Sequence, residues 1–121
     1  MPNANHPTIS THVLDTKRGE PAAGVPVTLS RIEGGKPVPQ STQQTDADGR
    51  IPNLGKPGGA GELPPGSYQI AFDVATYFKK KGDHPAFFSR VVLDFEISDG
   101  RRSYHIPLLV SPYSCASYRG S

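Results

Sequence analysis

Four histidines, at positions 6, 12, 84 and 105, are the groups in this chain best suited to moving protons at neutral pH, because imidazole titrates near pH 6.5. Two of them interrupt alternating apolar patterns. His12 stands in Ile9-Ser10-Thr11-His12-Val13-Leu14 and points to the face opposite Thr11 and Val13, and His105 stands in residues 103–110. A sheet must bury or cover such a ring, so each reads either as a hydrogen-bonded structural histidine or as part of a site. His6 lies in a polar N-terminal stretch and His84 in the loop Gly82-Asp83-His84-Pro85, where a solvated ring is the ordinary outcome. Two histidines brought together would take a proton from water and pass it to a leaving nitrogen, help worth roughly 10²–10⁴ in rate. An arginine beside them would hold the substrate and favour charge developing on oxygen. Arg50, which follows Gly49 at a turn exit, has the right position, though read alone it is an ordinary solvated residue.

Other chemistries fit less well. Two strand histidines and a distant Cys115 do not have the close ligand spacing of a zinc site, so no metal is expected. Gly58-Gly59-Ala60-Gly61 lacks the Gly-Lys-Ser/Thr ending of a phosphate loop. Ser114 and Ser121 have no nucleophile-elbow context. The run Lys79-Lys80-Lys81 reads as a solvated helix end, where cations suit the dipole.

The elements that must position these groups are short. Apolar and polar residues alternate over 9–14, 25–29, 68–74, 91–97 and 103–110, with a weaker polar strand at 40–45; period two bounded by turn residues is a strand signature. Pro26 suggests a strand start or an edge. Residues 33–40 read as a flexible connection, and 52–66, dense in glycine and proline, as a long loop of the kind that is commonly functional or mobile. Residues 74–81 allow about two helical turns, with Gly82 as the stop. Ser98-Asp99-Gly100-Arg101 between two apolar runs predicts a hairpin. Seven or so strands and at most one short helix imply an all-β sandwich. In the last strand, Tyr104, Ile106, Leu108 and Val110 share one face while His105, Pro107, Leu109 and Ser111 share the other. A solvated sheet has a plainly polar outer face; this mixed face suits a subunit interface or a covered pocket.

Length and composition set the limits. The chain has 121 residues, 13 glycines, 13 prolines, one cysteine and a formal charge of +2, which suits one domain preceded by a loose tail over residues 1–8. Basic residues are not massed, so neither nucleic acid nor membrane is an expected partner. A lone cysteine forms no internal disulfide and fits a reducing compartment. The N-terminus shows neither a basic start nor an apolar segment, and cytoplasmic location is expected.

Four blocks together carry a resemblance: Ser10-Thr11-His12-Val13-Leu14-Asp15-Thr16; Thr45-Asp46-Ala47-Asp48-Gly49-Arg50-Ile51; Tyr104-His105-Ile106-Pro107-Leu108-Leu109 running into Ser111-Pro112-Tyr113; and the terminal Tyr118-Arg119-Gly120-Ser121. In this order they resemble the hydroxyisourate hydrolases of the transthyretin-related protein family, over residues 9–121. The resemblance implies a transthyretin-like two-sheet sandwich of seven to eight strands with one short helix. It implies a homotetramer built as a dimer of dimers, with active sites where dimers meet. It implies hydrolytic ring opening of 5-hydroxyisourate to 2-oxo-4-hydroxy-4-carboxy-5-ureidoimidazoline in urate breakdown, without a cofactor. Carried over by residue, the catalytic set is His12, Arg50, His105 and Ser121, with His12, Arg50, Tyr118 and Ser121 binding substrate and Arg119 anchoring the terminus. The sequence departs from the family pattern at Cys115-Ala116-Ser117, where Tyr-Ser-Thr is usual, so the large aromatic of that pattern is replaced.

Two other functions fit the same elements. A carrier of small aromatic ligands shares the fold but lacks the paired histidines and the Tyr-Arg-Gly-Ser ending. A structural or adhesion module is the third reading, since fold alone does not settle function.

Overall fold

The computed structural model describes residues 6–55 and 61–121. Among these residues nine strands and one helix follow in the order β1 (Ile9–Asp15), β2 (Glu20–Pro21), β3 (Pro26–Glu33), β4 (Lys36–Gln44), β5 (Arg50–Ile51), β6 (Gly66–Phe72), α1 (Val74–Lys80), β7 (Val91–Ile97), β8 (Tyr104–Val110) and β9 (Cys115–Ser117). They form two sheets, one ordered β2-β1-β8-β9 with β5 also on β1, the other β4-β3-β6-β7. The expected all-β sandwich with a single short helix is what the chain builds.

Alternation decides which face each strand buries. Ile9, Thr11, Val13 and Asp15 of β1 point inward and are buried, while Ser10, His12 and Leu14 point outward and stay half-buried. In β8, Tyr104, Ile106, Leu108 and Val110 face the same core. The second sheet meets them with Val27, Leu29, Ile70, Phe72, Val91 and Ile97, and α1 caps one end with Tyr77 and Phe78. Each fully buried aliphatic or aromatic side chain contributes roughly 1.5–3 kcal/mol. The helix starts at the Asp73 cap, whose carboxylate accepts from the Thr76 amide at 3.2 Å, and ends before Gly82, at φ 88°.

Three expectations change. Residues 33–40 are not a flexible connection: Gly34 and Gly35, at φ 59° and 78°, make a two-residue turn that pairs Glu33 with Lys36 and starts a nine-residue strand. Both positive φ values belong to the tight turn that matches strand twist. Pro37 and Pro39 are tolerated because β4 is an edge strand, with one side free of ladder bonds. Second, Asp99-Gly100 is not a hairpin. β7 pairs with β6 and β8 with β1 and β9, so the turn carries the chain from one sheet to the other. Its local bonds fit that crossing: Tyr104 donates its hydroxyl to the Asp99 carbonyl at 2.9 Å, and the Leu63 amide donates to the Gly100 carbonyl at 2.8 Å. Third, the tail is held before residue 9. Pro7 is buried, the Thr8 amide donates to Ser103 Oγ at 2.9 Å, and the Tyr104 amide to the Thr8 carbonyl at 2.8 Å.

The long loop is partly pinned as well. Leu54 is fully buried and its amide donates to the Ile9 carbonyl at 2.7 Å. Gly58-Gly59-Ala60 of the glycine-rich stretch lies outside the described residues.

Candidate active site

β1 and β8 run parallel, with Ser10 beside His105 and His12 beside Pro107. Paired residues in neighbouring strands project to the same side of a sheet, so both histidines stand on the outer face, away from the core. β5 lies on the other flank of β1, and there Arg50 is the direct partner of His12. Arg50, His12 and Pro107 thus form one row across three strands, and Ser10 and His105 form the next row.

Local structure explains how Arg50 reaches that place. The Asp46 carboxylate accepts from the amides of Asp48 at 2.9 Å and Arg50 at 3.0 Å, and the Asp46 amide donates to the Arg50 carbonyl at 2.9 Å. Such a side-chain-built turn is why aspartate suits this position. Gly49, at φ 76°, passes its carbonyl to the Val13 amide at 2.8 Å and ties the turn to β1.

The last residues return across β8. Ser117 donates its hydroxyl to the Pro107 carbonyl at 2.7 Å, and the Gly120 amide donates to the His105 carbonyl at 2.8 Å. The Arg119 guanidinium sits 5.6 Å from the Tyr104 ring centroid, within cation–π range. Cys115 is exposed and pairs with Val110 in register, so the strand return survives the change from the family's aromatic residue.

Arg50, His105 and Ser121 line one cleft of about 660 Å³, together with Ser10, Arg101 and Arg102. His12 is half-buried beside Arg50 but does not itself line this cleft. Tyr118 lies in an adjoining cavity of about 350 Å³, which shares Arg102, Tyr104 and His105 with the cleft. His6 and His84 are exposed and line neither.

Electrostatics couple His105 to its two neighbours. Burial pushes the His105 imidazole below its ordinary value, and the positive charges of His12 and Arg50 push it the same way. The ring is therefore held in its neutral, proton-accepting form near neutral pH. His105 also has a defined partner, with Ser10 Oγ 2.8 Å from its Nδ1.

Ser10, Arg101 and Arg102 were not singled out as site residues by sequence reasoning. Ser10 shares a face with His12 two residues away, which was visible in the alternation. Its pairing with a residue 95 positions later was not. The arginines follow a turn read as a hairpin, which hid their approach to the cleft. Among the described residues, no three His, Cys, Asp or Glu side chains are grouped to hold a metal ion. No helix among them is long and apolar enough to cross a membrane.

A transthyretin-like sandwich with two histidines and an arginine on its outer face defines the class of protein. Residues 9–120 match the HIUase/Transthyretin family. A Deinococcus radiodurans protein named 5-hydroxyisourate hydrolase is 42% identical, covering 98% of this chain and 99% of its own. The solved 5-hydroxyisourate hydrolase of Klebsiella pneumoniae superposes with a TM-score of 0.81 at 36% identity, over 95% of this chain and 99% of that one. Sea bream transthyretin, solved in complex with thyroxine, superposes with a TM-score of 0.82 at 30% identity, over 93% of each chain. The chain belongs to the HIUase/Transthyretin family.

Proposed function

We propose that this chain is an enzyme that hydrolyses 5-hydroxyisourate to 2-oxo-4-hydroxy-4-carboxy-5-ureidoimidazoline, a step in urate breakdown. The observation that carries this reading is the outer-face array of His12, Arg50 and His105, in a chain 42% identical to a hydrolase of that name.

In the mechanism, a neutral imidazole takes a proton from water as the water oxygen attacks a ring carbonyl carbon. Arg50 faces the developing oxyanion, where a charge-assisted donor gains strength as charge builds. The imidazolium then returns its proton to the ring nitrogen as the C–N bond breaks, leaving a carboxylate. His105, pressed toward its neutral form, suits the proton-accepting role, and His12 beside Arg50 completes the relay. Ser121 and Tyr118, from the segment crossing β8, close the pocket over the substrate. Residues 9–121 act as one catalytic domain.

The working assembly is a homotetramer, a dimer of dimers with sites at the dimer–dimer interface. Leu14 and Leu109 support this, since they flank the histidines on an outer face that a lone protomer leaves partly exposed. A free, exposed Cys115 fits a cytoplasmic setting.

Ultraviolet absorbance of freshly generated 5-hydroxyisourate, followed with and without the protein, tests the reading. Faster decay than the spontaneous rate is expected. Unchanged decay with tight uptake of an aromatic ligand would instead favour a carrier, in line with the sea bream relative solved in complex with thyroxine.

A further inference from the structure

We propose that Ser10 is a positioning residue for His105, its hydroxyl holding the ring by Nδ1 so that Nε2 is the nitrogen presented for reaction. The inference rests on the hydrolase reading above and extends it to a residue with no assigned role.

Three features carry it. Ser10 and His105 are register partners in the parallel β1–β8 pair, and Ser10 Oγ lies 2.8 Å from Nδ1 in a partly buried setting. On the opposite edge of the ring, Gly120 packs so closely that a Cβ there would stand 2.6 Å from Cδ2. Ser10 and His105 also line the same cleft. With one edge tied and the other backed by glycine, Nε2 and Cε1 form the ring edge left for chemistry.

The partner's type matters as much as its place. A serine oxygen accepts from Nδ1–H whether Nε2 is bare or protonated, so the hold survives the whole proton transfer. Nε2 takes the proton from water as the hydroxide adds to the carbonyl carbon. It gives that proton to the ring nitrogen as the C–N bond breaks, while Nδ1–H stays on Ser10. A carboxylate in this place would stabilise the imidazolium and slow the return of the proton. A neutral hydroxyl orients the ring without that cost. Burial and the charges of His12 and Arg50 then keep the ring ready to accept.

The experiment compares Ser10→Ala and Ser10→Thr with the wild type by steady-state kinetics and by NMR of ¹⁵N-labelled histidine. Losing one oriented hydrogen bond is expected to lower kcat by about tenfold or more, with KM within about twofold. Ser10→Thr, which keeps the hydroxyl, is expected to restore most of the rate. The His105 nitrogens are expected to report the Nδ1–H tautomer in the wild type and a shift toward Nε2–H in Ser10→Ala. Wild-type kcat in Ser10→Ala, or an Nε2–H ring in the wild type, would overturn the proposal. The wild-type spectrum decides the tautomer even where Ser10→Ala does not fold. A wild type that fails to speed ring opening sinks the hydrolase reading instead, and the ¹⁵N comparison still judges the Ser10 contact.

Discussion

Gly120 closes directly on His105: its amide donates to the His105 carbonyl at 2.8 Å, and a Cβ at this position would stand 2.6 Å from the ring's Cδ2. No side chain fits there unless the ring or the terminal segment moves. Gly120→Ala is therefore expected to displace one or the other and to lower turnover by about tenfold or more, because small misplacements of a catalytic group are costly. The core is untouched, so the thermal midpoint should stay within a few degrees. Unchanged kinetics in this variant would mean that the terminal segment does not set the ring's place.

His105→Asn removes the proposed proton acceptor and Arg50→Ala the charge proposed to face the oxyanion. Each is expected to cost at least about 10²-fold in kcat/KM. Neither touches the sandwich core, and far-ultraviolet circular dichroism should match the wild type. A near-normal rate in either would remove that residue from the mechanism.

Much of this arrangement was legible in the sequence, and the rest was hidden for identifiable reasons. Alternation in 9–14 and 103–110 placed His12 and His105 on strands, pointing away from the core. Asp46 and Gly49 announced the turn that delivers Arg50. Register was not legible, because pairing of Ser10 with His105 spans 95 residues and depends on which strands share a sheet. The hairpin rule failed at Asp99-Gly100 because β7 and β8 find their partners in opposite layers, and their apolar faces are buried by that arrangement. The β3–β4 hairpin was missed because an exposed edge strand needs no apolar face and tolerates Pro37 and Pro39.

His105 also makes stability depend on pH. Burial first, then the charges of His12 and Arg50, lower its folded-state value, while in the unfolded chain it titrates near 6.5. The neutral ring is thus favoured by folding. Its contribution is fully present above about pH 6.5 and is lost as pH falls through the lower folded value. Denaturant melts at a series of pH values should show the wild type losing stability more steeply than His105→Asn over that interval. Arg50→Ala, lacking one of the two charges, should move the His105 NMR titration upward. A downward or absent shift would contradict the electrostatic coupling of the two residues.

Asp15 anchors the end of β1 to the helix. Its side chain is fully buried, accepts from the Tyr77 hydroxyl at 2.7 Å and pairs with Arg18 at 3.0 Å. Burial pushes the carboxyl upward, but the Tyr77 hydroxyl, the Arg18 amide and the Arg18 guanidinium outweigh it and hold it below the usual carboxylate value. Its stabilising effect is therefore complete above the unfolded value near 3.9 and fades as pH falls through the folded one. Asp15→Ala leaves the buried Tyr77 hydroxyl and the Lys17 and Arg18 amides without their acceptor, while the Arg18 guanidinium keeps Asp83, and should cost roughly 1–3 kcal/mol, read as a lower urea midpoint. A midpoint unchanged at neutral pH would show that Tyr77 and Arg18 find other partners.

The proposed tetramer rests on the face that carries Leu14 and Leu109, neighbours in register on β1 and β8. Both are half-buried in the single chain, so a carboxylate at either position is tolerable in a lone protomer and repelled in a closed apolar contact. Leu109→Glu is accordingly expected to lower the mass measured by analytical ultracentrifugation from that of four chains to that of a smaller species, with circular dichroism unchanged. Turnover should fall with the mass if the site faces the contact that is lost, as proposed. A variant that keeps full activity as the smaller species would show that one protomer, or one dimer, builds a complete site. A variant that stays tetrameric would move the interface to another surface of the sandwich.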